Sequence, residues 1–186
     1  MKIYTVTYTG PFGFIKPWTA VRDGGKPHEI HTFSQQFLTP SIVEGMRQKL
    51  QVEKIARHKL TFKNYSKQME QTRPKLIKKW GENFSILTRG VMLEPILILG
   101  FNSREDAEIA FDQHICLCRN EDILLPDKSA WISVLSEKEF DALEGFELRF
   151  TGSDEGFMVG YNRFNDFEPM YGELEITDGA IRDELL

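Results

Sequence analysis

The chain has 186 residues, 41% hydrophobic and 27% charged, proportions ordinary for a single globular domain with room for a small appendage. No apolar run approaches the ~20 residues of a membrane span. Two cysteines, Cys116 and Cys118, exclude a disulfide framework and fit the reducing cytoplasm, while the net charge of −5 leaves nucleic-acid partners open because the charge is so unevenly distributed.

Residues 2–9 form a β-rich run of isoleucine, tyrosine, threonine and valine ended by Gly10-Pro11, which predicts a first strand rather than a signal peptide. Residues 16–36, with Pro17, Gly24-Gly25 and Pro27, lack a sustained period and read as a long loop, a kind of loop that is usually functional. A helix is expected next. Thr39 or Ser41 can cap it, Pro40 suits its first turn, and Ser41 with Glu44 makes a capping box. Ile42, Met46 and Leu50 give that helix an apolar face, and a close backbone approach at Gly45 would explain a residue that costs about 1 kcal/mol relative to Ala.

From Arg47 to Lys79 there are 11 Lys/Arg against two acids, Glu53 and Glu70. Within this stretch residues 53–83 scatter Phe62, Tyr65 and Trp80 among the lysines without a clear apolar face, the pattern expected of a projecting arm or hairpin. Phe84 to Phe101 is strand-like, with Pro95 marking an edge or a bulge. Ser103-Arg104-Glu105-Asp106 opens a second helix, Ile115 to Leu125 reads as strand, charged turn and strand, and Ser136 with Glu139 starts a short third helix. Beyond it, aromatics alternate with glycine-rich turns in a hairpin pattern; from Phe101 to Leu186 there are 7 Lys/Arg against 21 Asp/Glu. The fold expected is α+β: a ferredoxin-like, RNA-recognition-motif domain over residues 1–125 with the basic arm inserted at 53–83. Residues 126–186 would add an acidic helix and a small C-terminal β appendage.

Phe12-Gly13-Phe14-Ile15-Lys16-Pro17, followed by Thr32-Phe33-Ser34-Gln35-Gln36-Phe37-Leu38-Thr39-Pro40-Ser41 and Gly45, resembles the amino-terminal signature of the CRISPR-associated "Cas five" family. Cys118-Arg119-Asn120-Glu121-Asp122 is similar to that family's later glycine-arginine-serine-glutamate-aspartate motif, with Cys118 in place of the glycine. The resemblance spans residues 2–125 and has no clear counterpart past about residue 145. It implies a non-catalytic RAMP-type subunit of a class 1 CRISPR effector ribonucleoprotein in antiviral defence. Such a subunit binds and caps the 5′ handle of the guide RNA (crRNA) and anchors the backbone filament. It meets the filament subunit and a large subunit or nuclease, and needs no cofactor or metal. Guide pairing would read the target, the protein only backbone and shape.

On that reading Lys16, Trp18, Arg22, Gln35 and Gln36 contact handle nucleotides from the first loop. Arg47, Arg57, Lys59, Lys63, Lys67, Arg73 and Lys75 follow phosphates, Phe62 and Tyr65 stack on splayed bases, and Arg119 joins them from the later motif unless Glu121 and Asp122 hold it in a turn. Two other functions fit parts of the sequence. Metal-independent cleavage of precursor guide RNA needs a base and a cation, which His58 beside Lys59, or His28 and His31 near Lys16 and Tyr8, can supply. A free-standing RNA-binding regulator needs exposed aromatics on central strands, for which Tyr4 and Tyr8 are available. His114, Cys116 and Cys118 recur at period two, but structural zinc takes four ligands, so the cysteines read as small buried apolar residues.

Overall fold

The computed structural model describes residues 2–17, 31–71, 75–77, 81–83 and 86–182. The chain begins with β1 (Lys2–Thr9), β2 (Phe12–Gly13), β3 (His31–Phe33), α1 (Pro40–Leu50) and β4 (Ile55–Thr61). A hairpin region follows, made of β5 (Tyr65–Gln71), β6 (Lys75–Ile77), β7 (Gly81–Asn83) and β8 (Ile86–Leu93). Next come β9 (Ile96–Phe101), α2 (Arg104–Phe111), β10 (Ile115–Cys116), β11 (Ile123–Pro126), β12 (Ser133–Ser136) and α3 (Glu137–Asp141). The last three strands are β13 (Gly145–Thr151), β14 (Phe157–Asn162) and β15 (Glu168–Thr177). The molecule is α+β and its sheets are mostly antiparallel.

At the centre of the main sheet the strand order is β11-β1-β9-β4, each neighbour antiparallel to the next. Helix α1 lies between β1 and β4 in sequence, and α2 between β9 and β11. Val6, Tyr8, Leu97, Leu99 and Leu60 join Val43, Met46 and Leu50 of α1 and Ala107, Ala110 and Phe111 of α2 in one buried cluster. The Tyr8 hydroxyl donates to the Ala110 carbonyl oxygen at 2.6 Å, a hydrogen bond that pins α2 to β1. The buried face of α1 is Val43-Met46-Leu50, with Ile42 partly buried and packed against the same core; Thr39 is the N-cap and Pro40 the first residue. Glu44 makes no capping box; its carboxylate pairs with Arg47 at 2.8 Å. Helices α2 and α3 start as their sequences predict, with Ser103 accepting from the Asp106 amide and Ser136 closing a capping box with Glu139. Gly100 lets α3 seat on the sheet: a Cβ there would lie 2.7 Å from Ile3 and 3.2 Å from the Phe140 ring.

Strand β4 carries the main departure from the sequence reading. Residues 55–61 belong to the interior of the sheet and not to an arm, since β4 is hydrogen-bonded to β9 on one side and to β13 on the other. A register shift between Ile55 and Arg57 disguises the pattern. Across that bulge Ile55 falls in the same cluster as Leu60 and Phe62, so no strict alternation can be read over the segment. The opposite side is polar but buried as well. The Arg57 guanidinium meets Glu147 at 2.6 Å and Asp141 at 2.7 Å, and the Lys59 ammonium donates to the Thr177 hydroxyl at 2.9 Å. A mixed strand with both faces covered mimics a solvated one in sequence.

The long ladder then passes into a second sheet. Strands β5 and β8 pair from Tyr65↔Met92 to Gln71↔Ile86, while β2 and β3 share the other edge of β8. Strands β6 and β7 pair with each other. The main sheet meanwhile continues across residue 125 without a break, running from β4 through β13 and β15 to β14 at its edge. Strand β12 pairs with the first half of β1, so residues on both sides of the expected domain boundary share one sheet.

Candidate nucleic-acid interface

Backbone hydrogen bonding brings the first loop's two ends together. The Ile15 amide donates to the Ser34 hydroxyl at 2.8 Å and the Gln35 amide to the Ile15 carbonyl at 2.9 Å, so Lys16 and Gln35 emerge side by side. They line a cleft of about 450 Å³ whose floor is α1, through Ser41, Gly45 and Lys49. Cys116 and Cys118 form one further wall, and Tyr161 and Arg163 at the end of β14 form another. Three cations and no carboxylate stand among the described residues that line it. Lys16 and Lys49 are exposed, and neither has an ion-pair partner among the described residues. In an acidic chain, such a cleft concentrates positive potential where an anionic ligand can reach it.

Gly45 contributes openness instead of close contact. A Cβ there would meet the Arg163 guanidinium at 3.6 Å and the Phe164 ring at 3.8 Å, ordinary distances, and no backbone comes near. The expected close backbone approach is absent.

The later motif sits beside the first. Asp122, 0% exposed, accepts two hydrogen bonds from the Arg119 guanidinium, at 2.6 and 2.8 Å, and another from the Arg119 amide. Arg119 also donates to Glu70 of β5 at 2.7 Å and lies 5.5 Å from the Phe14 ring centroid, with Arg89 on the same ring at 4.9 Å. These carboxylates hold the Arg119 charge firmly on. Arg119 therefore locks the turn, the first loop and the hairpin together, and it is not free for phosphate; the turn-network alternative is the one realised. Residues 12–17, 33–45 and 118–122, apart in sequence, converge here.

The other expected contacts divide by burial. Lys59 is 1% exposed, Phe62 is 0% exposed against Tyr65 and Phe146, and Arg57 is paired twice, so none of the three can touch a nucleic acid without breaking the core. Arg47 is held by Glu44 and the Val52 carbonyl. Tyr65 donates to the Ser34 carbonyl at 3.1 Å and packs edge-on to Phe33, half-buried and not splayed for stacking. Gln36 hydrogen-bonds Tyr65, and Gln35 donates to the Phe37 carbonyl while still lining the cleft. Lys67 is exposed on β5, and Lys63 is exposed with Glu94 at 3.3 Å. Lys75 lies on β6; Trp18, Arg22, Arg73, His28 and Trp80 lie outside the described residues.

The residues offered for the other two functions change standing. His58 is buried in β4, its Nε2 accepting from the Leu148 amide at 3.4 Å, and burial holds the imidazole neutral down to about pH 4. It cannot serve as a surface base. His31 is exposed on β3. Tyr8 is in the core, and burial pushes its phenol up, so it is no stacking platform. Cys118 is exposed and Cys116 half-buried, against the expectation of buried cysteines, because the strand ends at Cys116. Among the described residues no group of three or more His, Cys, Asp or Glu is placed to hold a metal. No helix among them is long and apolar enough to cross a membrane.

Sequence reasoning misses Lys49, Tyr161 and Arg163. The last two lie in a segment so acidic overall that its composition argues for phosphate repulsion. Neither a scan against family models nor a search of curated proteins gave a match to this chain.

Proposed function

We propose that the chain is a non-catalytic, cytoplasmic RNA-binding subunit of a class 1 CRISPR effector ribonucleoprotein, holding the 5′ handle of the guide RNA in the cationic cleft. The observation that carries this reading is the convergence of the family-like segments 12–17, 32–41 with Gly45, and 118–122 on a single cleft lined by Lys16, Lys49 and Arg163, with no acid among its described lining residues. Segments that meet only in the folded chain, around lysines that have no ion-pair partner among the described residues, suit a ligand made of phosphates. The order β11-β1-β9-β4, with one helix crossing each half, supports a ferredoxin-like, RNA-recognition-motif core. The arm of this reading is the hairpin from β5 to β8, beginning near residue 65, with Lys67 as its described exposed cation. Its partners would be the filament subunit and a large subunit or nuclease.

The test is to co-purify the chain with the products of its neighbouring genes and sequence the retained RNA; a common 5′ end in that RNA is the expected result. The double variant Lys16→Ala, Lys49→Ala should release the RNA and flatten the salt dependence by roughly 1.4 in log–log slope, about 0.7 per lost phosphate contact. Retention of the same RNA with an unchanged slope would remove the cleft from the RNA path.

A further inference from the structure

We infer that the β14–β15 hairpin is the base-recognising wall of this cleft, with Tyr161 stacking on one unpaired nucleobase while Lys16, Lys49 and Arg163 hold the phosphates on either side. The inference rests on the RNA reading above and adds to it a role for residues past 145, which the family resemblance does not reach. Tyr161 is 55% exposed on the edge strand of the sheet, opposite Pro169, and lines the cleft across from α1. An exposed tyrosine ring within a ring of cations is the arrangement that binds single strands, because every base offers a π-face whatever its sequence.

The wall is built to stay in place. After β14 the chain turns tightly, with the Phe164 amide donating to the Asn162 side chain at 3.0 Å and the Phe167 amide to the Asn162 carbonyl at 3.0 Å. Asp166 and Phe167 take positive φ of 42° and 57° to complete the turn. The Arg163 guanidinium lies 4.7 Å from the Phe164 ring centroid, and both lie within ordinary contact distance of where a Cβ on Gly45 would stand. A cleft of about 450 Å³ is in the range of small-ligand pockets, roughly 300–1,000 Å³, and so admits a nucleotide-sized unit and not a duplex. Three cations carried by three separate parts of the fold suit a run of phosphates better than one carboxylate of an acidic peptide.

The experiment uses the full chain and a fluorescein-labelled single-stranded RNA of about twelve nucleotides, with a series of oligonucleotides each carrying one abasic position. With the unmodified protein, abasic substitution at one position should weaken binding about tenfold. In Tyr161→Ala that penalty should vanish, and in Tyr161→Phe, which keeps the ring, it should persist. If Lys16→Ala, Lys49→Ala weakens binding but Tyr161→Ala leaves the abasic penalty intact, the stacking wall is overturned and the RNA reading stands. If the unmodified chain binds no RNA, or binds an acidic peptide of equal charge as tightly, the RNA reading itself fails.

Discussion

Replacing His58 with glutamine tests the placement of β4 inside the fold. The imidazole is buried, accepts from the Leu148 amide and lies 5.8 Å from the Phe150 ring. Burial is the largest influence on it. Glu147 favours its proton, and Arg57, Lys59 and Arg149 oppose it, leaving it neutral until about pH 4 instead of 6.5. Between those two values the unfolded chain binds a proton that the native state refuses. Stability from this group is therefore complete above about pH 6.5 and is lost as pH falls toward 4. A gap of about 2.5 units at about 1.4 kcal/mol each gives a loss of about 3 kcal/mol. Against a typical total of about 5–15 kcal/mol, that is large enough to measure. Urea unfolding at pH 7.5, 6.5, 5.5 and 4.5 should show the loss in the native chain and a much flatter profile in His58→Gln. Asp141 and Glu44, held below the usual carboxylate range chiefly by hydrogen bonds from Arg57 and Arg47, are present in both proteins and drop out of the comparison. If the variant keeps the native pH slope, or if an NMR titration puts His58 near 6.5, the histidine is solvated and β4 does not lie inside the sheet.

Phe62→Ala should cost about 3–5 kcal/mol in urea unfolding, the range for a buried aromatic, because the ring is fully buried, stacked on Phe146 and tilted against Tyr65; a neutral result would return it to a solvent-exposed arm. Gly45→Ala should stabilise α1 by about 1 kcal/mol, since the added methyl meets only ordinary contacts, while weakening RNA binding by narrowing the cleft. Thermal unfolding together with fluorescence anisotropy checks both halves, and a stabilised variant with unchanged RNA affinity would place the ligand elsewhere.

Elements whose signals are local can be read directly from the chain. Strand β1 ends at Gly10-Pro11, α1 starts at Pro40, and Ser103 and Ser136 accept from the backbone three residues on. Each rests on a propensity or a cap within a few residues, which is the information a sequence carries most openly. The hairpins after residue 145 follow from aromatic runs separated by glycine-rich turns. The identity of the cleft is only half legible. Lys16 and Gln35 stand out beside motifs, whereas Tyr161 and Arg163 are hidden by the acidity of their neighbours.

Tertiary structure alone decides which charges face water. Lys59 and Lys49 look alike in sequence, yet one is sealed against Thr177 and Glu147 and the other opens into the cleft. Thr177 lies 118 residues along the chain from Lys59, and a charge reveals its environment only through such distant partners. The same holds for Arg119, whose three carboxylate neighbours come from its own turn and from β5. Sequence determines where the chain bends, caps and pairs locally; long-range pairing of β4 with β13 determines which lysines are structural and which remain free to meet a ligand.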